Sequence, residues 1–301
     1  MAQPESIKPE TLSSAAEIAE AREYFRDYDI LLIPPIMRAA YSDRMAWILA
    51  SMSHLAYDRF EDGAKTRELL VAKLASGGFR LLQTFNSNET DTQAFLIANG
   101  DYAVLAFRGT EVSKKTDILT DAKAYQISVI EGRVHGGFRE AYESVREEIE
   151  KSLLGLDNIP LYITGHSLGA ALATVATQEL EINSTIRNRI AACYTFGSPR
   201  VGNTQYDKNL KAPIYRMVNT TDVVTIIPLI AMGYVHIGDV RFLGRKPGDT
   251  TRRVPVFLRT VLFIAAMFRL FGPWVGDHAI VEYRRKLEAV AEKRNRVMHS
   301  Q

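Results

Sequence analysis

The chain has 301 residues, of which 47% are hydrophobic and 24% are charged, so it can bury the core of one large or two small domains. Its formal net charge is +2 and no basic run is interleaved with aromatic residues, which argues against nucleic acid as a partner. The single cysteine, Cys193, excludes an internal disulfide. Because the first ten residues are also polar and acidic, unlike a secretory signal, the sequence predicts an intracellular, cytoplasmic protein.

The N-terminal part of the chain, residues 1–75, is predicted to be helical and to pack on the remainder. Residues 1–10 are a polar lead-in that contains two prolines. Helices are expected at about 13–28, 35–57 and 64–74, since apolar residues recur there at helical spacing.

Strands and helices alternate through the rest of the chain. Strands are predicted at 79–85, 92–99, 102–107, 159–164, 191–196 and 214–219, a hairpin-like piece at 234–243, and helices at 137–153, directly after residue 167 and at 278–297. This alternation predicts an α/β fold with a mostly parallel central sheet flanked by helices. No internal repeat or linker divides the chain, so residues 1–301 are predicted to form a single domain.

The strongest motif is Gly-His-Ser-Leu-Gly at residues 165–169, between an apolar strand and a helix of small residues. This is the G-x-S-x-G nucleophile elbow in the context that it requires. A sharp turn raises the Ser167 hydroxyl above the sheet edge, and Gly165 and Gly169 leave room for that turn. The Leu168 N–H at the start of the helix is then directed at a developing oxyanion.

A serine nucleophile needs an imidazole base and an orienting carboxylate, which in this type of fold follow in the order acid, then histidine. Asp222 is the favoured acid because it ends a buried strand, whereas Asp239 and Asp249 do not. His278, at the start of the last helix, is favoured as the base over His236, which lies in a short alternating segment typical of a structural histidine.

The remaining histidines are weaker candidates. His135 precedes the nucleophile, and the His166 side chain is expected to project away from the Ser167 hydroxyl. His54 and His299 have no motif around them.

A second oxyanion donor is predicted in the loop that follows the strand at 102–107. Gly109 allows a sharp bend there, so the Thr110 N–H, reinforced by its hydroxyl, can meet the substrate oxygen. Arg108 is interpreted as a residue that braces the loop.

Taken together, these residues resemble the class 3 lipase family, the α/β-hydrolases that include the fungal triacylglycerol lipases. The matching segments are 106–110, 135–138, 165–173, 195–203, 218–224 with Pro228, 234–238 and 277–278. The resemblance implies the α/β-hydrolase fold, a triad of Ser167, Asp222 and His278, and Thr110 with Leu168 as oxyanion donors. It also implies that His236 belongs to a structural motif.

Two features depart from that family. Its members often carry their lid between the segments matched at 106–110 and 135–138, but the interval here, 111–134, is polar with only a modest apolar face. The secreted fungal members have signal peptides and disulfides, and neither is expected in this chain.

Residues 254–274 are the most apolar part of the chain and directly precede His278. A core helix, a lid or acyl-chain wall over the site, and an interfacial membrane helix all fit this segment, since Arg259 and Arg269 interrupt it and can face one way. The side chains of the lid or wall would be Phe257, Leu262, Phe263, Phe268, Phe271 and Trp274. The last two interpretations are compatible and predict peripheral contact with a membrane or lipid-droplet surface.

The sequence therefore predicts a serine hydrolase that cleaves carboxylic esters of acyl lipids without a metal or an organic cofactor. Two alternatives remain: a non-catalytic scaffold of the same fold that binds lipid or protein, and an esterase for small soluble esters. All three triad members are present, which disfavours the scaffold, and the apolar run disfavours the small-ester esterase. The lipid class stays open.

Overall fold

A computed structural model describes residues 13–34, 40–109, 125–219, 222, 224–244, 246–251 and 278–299, apart from the side chains of 184 and 295–299. The helices are α1 Ala15–Ala21, α2 Asp43–Leu55, α3 Ala64–Ser76, α4 Gly136–Leu154, α5 Leu168–Leu180, α6 Ser184–Arg187, α7 Thr204–Asn209 and α8 Ile280–His299. The strands are β1 Arg80–Ser87, β2 Thr92–Ala98, β3 Ala103–Phe107, β4 Gln126–Val129, β5 Gly132–His135, β6 Leu161–His166, β7 Ile190–Phe196, β8 Ile214–Asn219, β9 Asp239–Leu243 and β10 Thr250–Thr251.

Eight of these strands form one sheet in the order β1-β2-β3-β6-β7-β8-β9-β10. Within this sheet, the neighbours β3, β6, β7, β8 and β9 are parallel to one another. The pairs β1–β2 and β2–β3 at one edge and β9–β10 at the other are antiparallel. Strands β3 and β6 are buried along their whole length, as expected for parallel-sheet strands covered on both faces, and the antiparallel strand β2 is equally buried. The predicted α/β class with a mostly parallel central sheet is confirmed.

Helices cover both faces of the sheet. On one face, α2 packs against β6 and α8, and Trp47 of α2 shares a buried cluster with Val104 of β3 and Phe196 of β7. On the other face, α4 and α5 pack against each other and α5 lies on β6 and β7, with Tyr142 and Val175 in the second cluster. The described part of the helical N-terminal region therefore shares its core with the sheet.

Two predictions about local structure are wrong. The segment 234–243 is not a hairpin, because β9 pairs in parallel with β8 and its antiparallel partner is β10. The second predicted helix, at 35–57, is shorter in the described residues: it begins at Asp43, where the Ser42 side chain accepts the Met45 N–H and caps the helix. The small hairpin of β4 and β5 was not predicted.

Candidate active site

Ser167 lies at the sharp turn between β6 and α5, at the carboxyl edge of the sheet. Its φ of 58° and ψ of −126° belong to a backbone region that residues other than glycine rarely adopt. A Cβ at Gly165 would overlap the backbone of Gly169, and a Cβ at Gly169 would overlap the Phe107 carbonyl of β3. The two glycines therefore allow the turn to pack tightly against the neighbouring strand.

The Ser167 hydroxyl is hydrogen-bonded to a buried histidine. His278 Nε2 lies 2.8 Å from Ser167 Oγ, and His278 Nδ1 lies 2.8 Å from Asp222 Oδ2. These side chains come from three elements that the sheet brings together, and each residue is at most 4% exposed. Because a carboxylate oxygen only accepts, Nδ1 carries the proton and Nε2 accepts the serine proton.

Asp222 is held in its loop by contacts with residues that follow it. Its Oδ1 accepts the Val224 N–H at 2.9 Å, and its carbonyl accepts the Thr225 hydroxyl at 2.8 Å. The carboxylate is thus fixed in orientation, with Oδ2 directed at His278.

Tyr283 of α8 makes a further contact with Asp222 that sequence reasoning missed. Its hydroxyl donates to Asp222 Oδ2 at 2.6 Å and accepts the Asn219 N–H at 3.0 Å. Burial, with the adjacent Asp222 charge, raises the pKa of Tyr283 well above its ordinary value, so the hydroxyl stays a donor. A buried tyrosine in the last helix carried no sequence signal for this role.

Gly197, at the end of β7, closes the other side of the site. Its φ is +59°, and a Cβ there would lie 2.7 Å from Asp222 Oδ2 and 3.0 Å from His278 Cε1. The sequence placed a loop at this strand end but gave no reason for the glycine. Only a residue without a side chain therefore fits where the Asp222 carboxylate meets the His278 imidazole.

Arg200 anchors the loop that follows Asp222. Its guanidinium donates to the carbonyls of Ile226 and Pro228, the latter at 2.7 Å, and its N–H donates to the Ile227 carbonyl at 2.7 Å. Burial lowers the pKa of Arg200. These backbone oxygens surround the buried charge of Arg200, and the contacts hold the loop after Asp222 against the end of β7.

The candidate oxyanion donors are described only in part. Leu168 is the first residue of α5, where the backbone N–H has no partner within the helix. Thr110 lies outside the described residues, so its prediction stays a prediction. Next to it, Gly109 is described, and a Cβ there would overlap the Tyr57 hydroxyl and the His166 carbonyl.

Arg108 acts as a brace at the end of β3. Its guanidinium pairs with Glu61 and lies 3.9 Å from Asp91, and only 7% of its side chain is exposed. Glu61 holds the start of the loop against the segment after α2, and Asp91 lies in the turn between β1 and β2.

The ring of His166 is buried and contacts the backbone of His278. Its Nε2 lies 2.6 Å from the His278 carbonyl oxygen, and its Nδ1 lies 2.8 Å from the Tyr57 hydroxyl. Sequence reasoning missed both contacts.

The alternative acids lie away from this cluster. The Asp239 side chain is 51% exposed and pairs with Arg241 at 2.7 Å, and the Asp249 side chain is 57% exposed and lies 3.6 Å from Lys293.

The alternative histidines also lie elsewhere. His236 is half-buried beside the bridge between Gly202 and Val235. His135 caps α4 and stacks on Phe138, and His54 is bonded to Tyr24 at 2.7 Å.

The predicted lid segment cannot be compared with the described structure, whereas metal-binding clusters and membrane-spanning helices can be looked for within it. The lid or wall side chains between 254 and 274 lie outside the described residues. Across the described ranges, no group of three or more histidine, cysteine, aspartate or glutamate side chains is placed to hold a metal ion. No helix within those ranges has the length and apolar character needed to cross a membrane.

The chain is similar to fungal lipases. It is 29% identical to a lipase of Rhizopus niveus over 171 residues, 53% of this chain and 43% of the relative. It is 33% identical to the secreted mono- and diacylglycerol lipase A of Penicillium cyclopium over 165 residues, 50% of this chain and 52% of the relative. The chain thus spans about half the length of the curated relatives it matches.

A solved structure supports the fold. A triacylglycerol lipase whose catalytic centre is described as a serine protease triad aligns with a TM-score of 0.58 and 22% identity, over 70% of this chain and 84% of that one. This agreement confirms the predicted α/β-hydrolase fold.

The predicted cytoplasmic location is wrong. The Penicillium relative is named as a secreted enzyme, which conflicts with an intracellular assignment. The lone cysteine and the polar N-terminal residues were insufficient grounds, because neither feature is specific to one compartment.

A family model described as Lipase (class 3) matches residues 104–232, which contain the elbow, the strand ends around it and the acid loop. With the similarity to the fungal lipases and their shared fold, this match confirms the resemblance found in the sequence. Residues 104–232 of this chain are therefore similar to the class 3 lipase family.

Proposed function

We propose that this chain is a serine hydrolase that cleaves carboxylic esters of acyl lipids. The observation that carries the proposal is the buried, hydrogen-bonded series Ser167–His278–Asp222 on a strained strand-to-helix turn. The match of residues 104–232 to the class 3 lipase family model and the lipase names of the relatives support the same activity.

In this mechanism, the Ser167 hydroxyl attacks the ester carbonyl while His278 Nε2 takes its proton. Asp222 holds the proton on Nδ1 and stabilises the imidazolium that forms. His278 then returns the proton to the leaving alcohol, and an acyl group remains on Ser167. Water, activated by the same imidazole, releases the fatty acid.

The negative charge that develops on the carbonyl oxygen needs donors that are already in place. The Leu168 N–H at the start of α5 is proposed as one donor, since the helix dipole also favours an anion there. The Thr110 N–H is proposed as the second donor, from its sequence position after Gly109.

The proposal is tested by serine labelling and turnover. The wild-type chain should react with a fluorophosphonate probe and hydrolyse p-nitrophenyl esters, and Ser167→Ala should abolish labelling and lower kcat by several orders of magnitude. Ser152→Ala is the matched control, because the Ser152 hydroxyl donates to the Glu148 carbonyl on the surface of α4. Turnover that persists in Ser167→Ala would refute the assignment.

The substrate class is tested with a mixed lipid extract. Mass spectrometry should detect fatty acids released by the wild-type chain and none released by Ser167→Ala. Hydrolysis of short soluble esters alone would instead support the small-ester alternative.

We also propose that the site meets its substrate at a lipid surface. The supporting observations are the apolar run 254–274 and the exposed side chains of Leu229, Ile230 and Met232, which follow the acid loop. Liposome co-sedimentation should weaken in Ile230→Asp and in the double variant Phe263→Asp, Phe268→Asp. Val71→Asp is the control, since Val71 is an exposed apolar residue on α3. Unchanged binding by both test variants contradicts the proposal.

A further inference from the structure

We propose that His166 and Tyr57 position the catalytic histidine by holding its backbone; this inference rests on the proposed function and names positioning residues for that site. His166 Nε2 lies 2.6 Å from the His278 carbonyl oxygen, and His166 Nδ1 lies 2.8 Å from the Tyr57 hydroxyl. The elbow therefore contacts the base twice. Ser167 meets the imidazole ring of His278, and His166 meets its main chain.

The hydrogen-bond chemistry assigns the tautomer of His166. A carbonyl oxygen only accepts, so Nε2 must carry the proton that it donates to His278. In a neutral imidazole Nδ1 is then an acceptor, and the Tyr57 hydroxyl donates to it. Tyr57 thus selects the form of His166 that can hold His278 in place.

A neutral His166 also suits the reaction. Its ring centroid lies 4.6 Å from that of His278, which becomes an imidazolium during attack. A second positive charge at this separation would disfavour the imidazolium, and a neutral ring does not.

The packing leaves the pair little freedom. His166 is 2% exposed and is surrounded by Tyr57, His278 and Tyr283, whose ring centroids lie 5.8, 4.6 and 6.0 Å from its own. The Tyr57 hydroxyl also lies where a side chain on Gly109 would be, beside the loop proposed to supply an oxyanion donor. One tyrosine therefore connects that loop, the elbow and the base.

The position of the His278 backbone matters because the Ser167–His278 hydrogen bond must keep its alignment as the proton moves. A displacement of about 1 Å in such a site lowers the rate about 100-fold. Substrate binding need not change, because neither Tyr57 nor His166 is required to touch the ester. Losses should therefore appear in kcat, with KM retained.

The chain contains a matched control for this pair. Tyr24 and His54 form a second tyrosine–histidine hydrogen bond, with Tyr24 Oη 2.7 Å from His54 Nδ1 and ring centroids 5.9 Å apart. None of the described contacts of this pair involves a triad residue. Tyr24→Phe therefore removes a bond of the same type without touching the site.

The test compares kcat per active site, counted by fluorophosphonate titration, with KM and thermal unfolding. We expect Tyr57→Phe to lower kcat about 10-fold and His166→Leu about 100-fold, with KM unchanged. His166→Gln should recover most of the rate, because its amide can donate to the His278 carbonyl. Tyr24→Phe should keep the wild-type kcat.

Two results would overturn the inference: wild-type kcat per titrated site in Tyr57→Phe, or an equal loss in Tyr24→Phe, which would indicate a merely structural effect. If His166→Leu does not fold, the comparison of kcat in Tyr57→Phe with kcat in Tyr24→Phe is sufficient to test the inference. A wild-type chain that neither binds the probe nor hydrolyses esters would instead refute the proposed function. The two failures are therefore distinguishable.

Discussion

The Tyr283 hydroxyl donates to Asp222 Oδ2 at 2.6 Å, on the same oxygen that receives His278 Nδ1. Tyr283 lies in α8, which begins two residues after His278, so a clamp on Asp222 lies in the helix that directly follows the base. Movement of α8 would therefore displace both partners of Asp222 together.

Tyr283→Phe should lower both activity and stability. The change removes one donor to Asp222 Oδ2 and one acceptor of the buried Asn219 N–H, which costs about 1–3 kcal/mol of unfolding free energy. We expect kcat to fall about 10-fold as the carboxylate loosens, equivalent to about 1.4 kcal/mol in the barrier. Ester hydrolysis and urea denaturation measure the two effects.

Tyr142→Phe is the control for that experiment. Tyr142 is fully buried, and its hydroxyl has no hydrogen-bond partner among the described residues. Equal losses in the two variants would show that the hydroxyl of Tyr283 has no special role.

Asp222→Asn should lower kcat about 10⁴-fold while the fold is retained. The amide can donate to His278 Nδ1, which moves the imidazole proton to Nε2, so the ring can no longer accept from Ser167. Asp239→Asn, at an exposed carboxylate paired with Arg241, should keep the wild-type rate. A loss of only a few-fold in Asp222→Asn would contradict the assigned role of the acid.

Gly197→Ala should disrupt the site more than it disrupts the fold. The new Cβ would lie 2.7 Å from Asp222 Oδ2 and 3.0 Å from His278 Cε1, so we expect kcat to fall at least about 100-fold. Gly78→Ala separates strain from crowding, because Gly78 has a φ of +77° and no atom within 4 Å of the added methyl. Both variants should lose about 1 kcal/mol of unfolding free energy, and only Gly197→Ala should lose activity. Normal turnover in Gly197→Ala would contradict the crowding argument.

His54 should make the protein less stable in acid. Burial, with Arg284 and Lys73 nearby, lowers the pKa of His54 from its ordinary value of 6.5 to about 4. The unfolded chain therefore binds a proton below about pH 6.5 that the folded chain excludes until about pH 4. Stability should fall across this window as the pH is lowered, by about 2–3 kcal/mol from this group.

Urea unfolding of the wild-type chain and His54→Gln at pH 7, 5.5 and 4 measures the contribution of His54. Titrating carboxylates are common to both proteins, so the difference between their pH profiles isolates His54. Parallel profiles would show that its pKa is not lowered in the fold.

The sequence predicted the three side chains that the fold brings together, Ser167, Asp222 and His278, because their positions follow from general rules. A glycine-flanked serine after a buried strand indicates the elbow, and Asp222 at the end of a later strand faces the same edge of a parallel sheet. His278 was selected from its place after Asp222 and at the start of the last predicted helix.

The groups around the triad could not be predicted, since their contacts depend on how helices pack across the sheet. Tyr283 is five positions after His278, which on a regular helix at 100° per residue would place the two side chains about 140° apart. The two meet Asp222 together because α8 begins only at Ile280. Tyr57 is 109 residues from His166, and no local pattern indicates that pair. The segment 234–243 was misassigned because alternation indicates a strand but does not indicate its partner.

The backbone of Ser167 has a further consequence for engineering of this protein. A φ of 58° with a ψ of −126° costs a non-glycine residue about 1–3 kcal/mol, which glycine at the same position would avoid. Ser167→Gly should therefore unfold at a higher temperature than the wild-type chain while being inert towards esters. A library selected for heat resistance alone would enrich inactive proteins at this codon, so any directed evolution of this chain has to score turnover in every round.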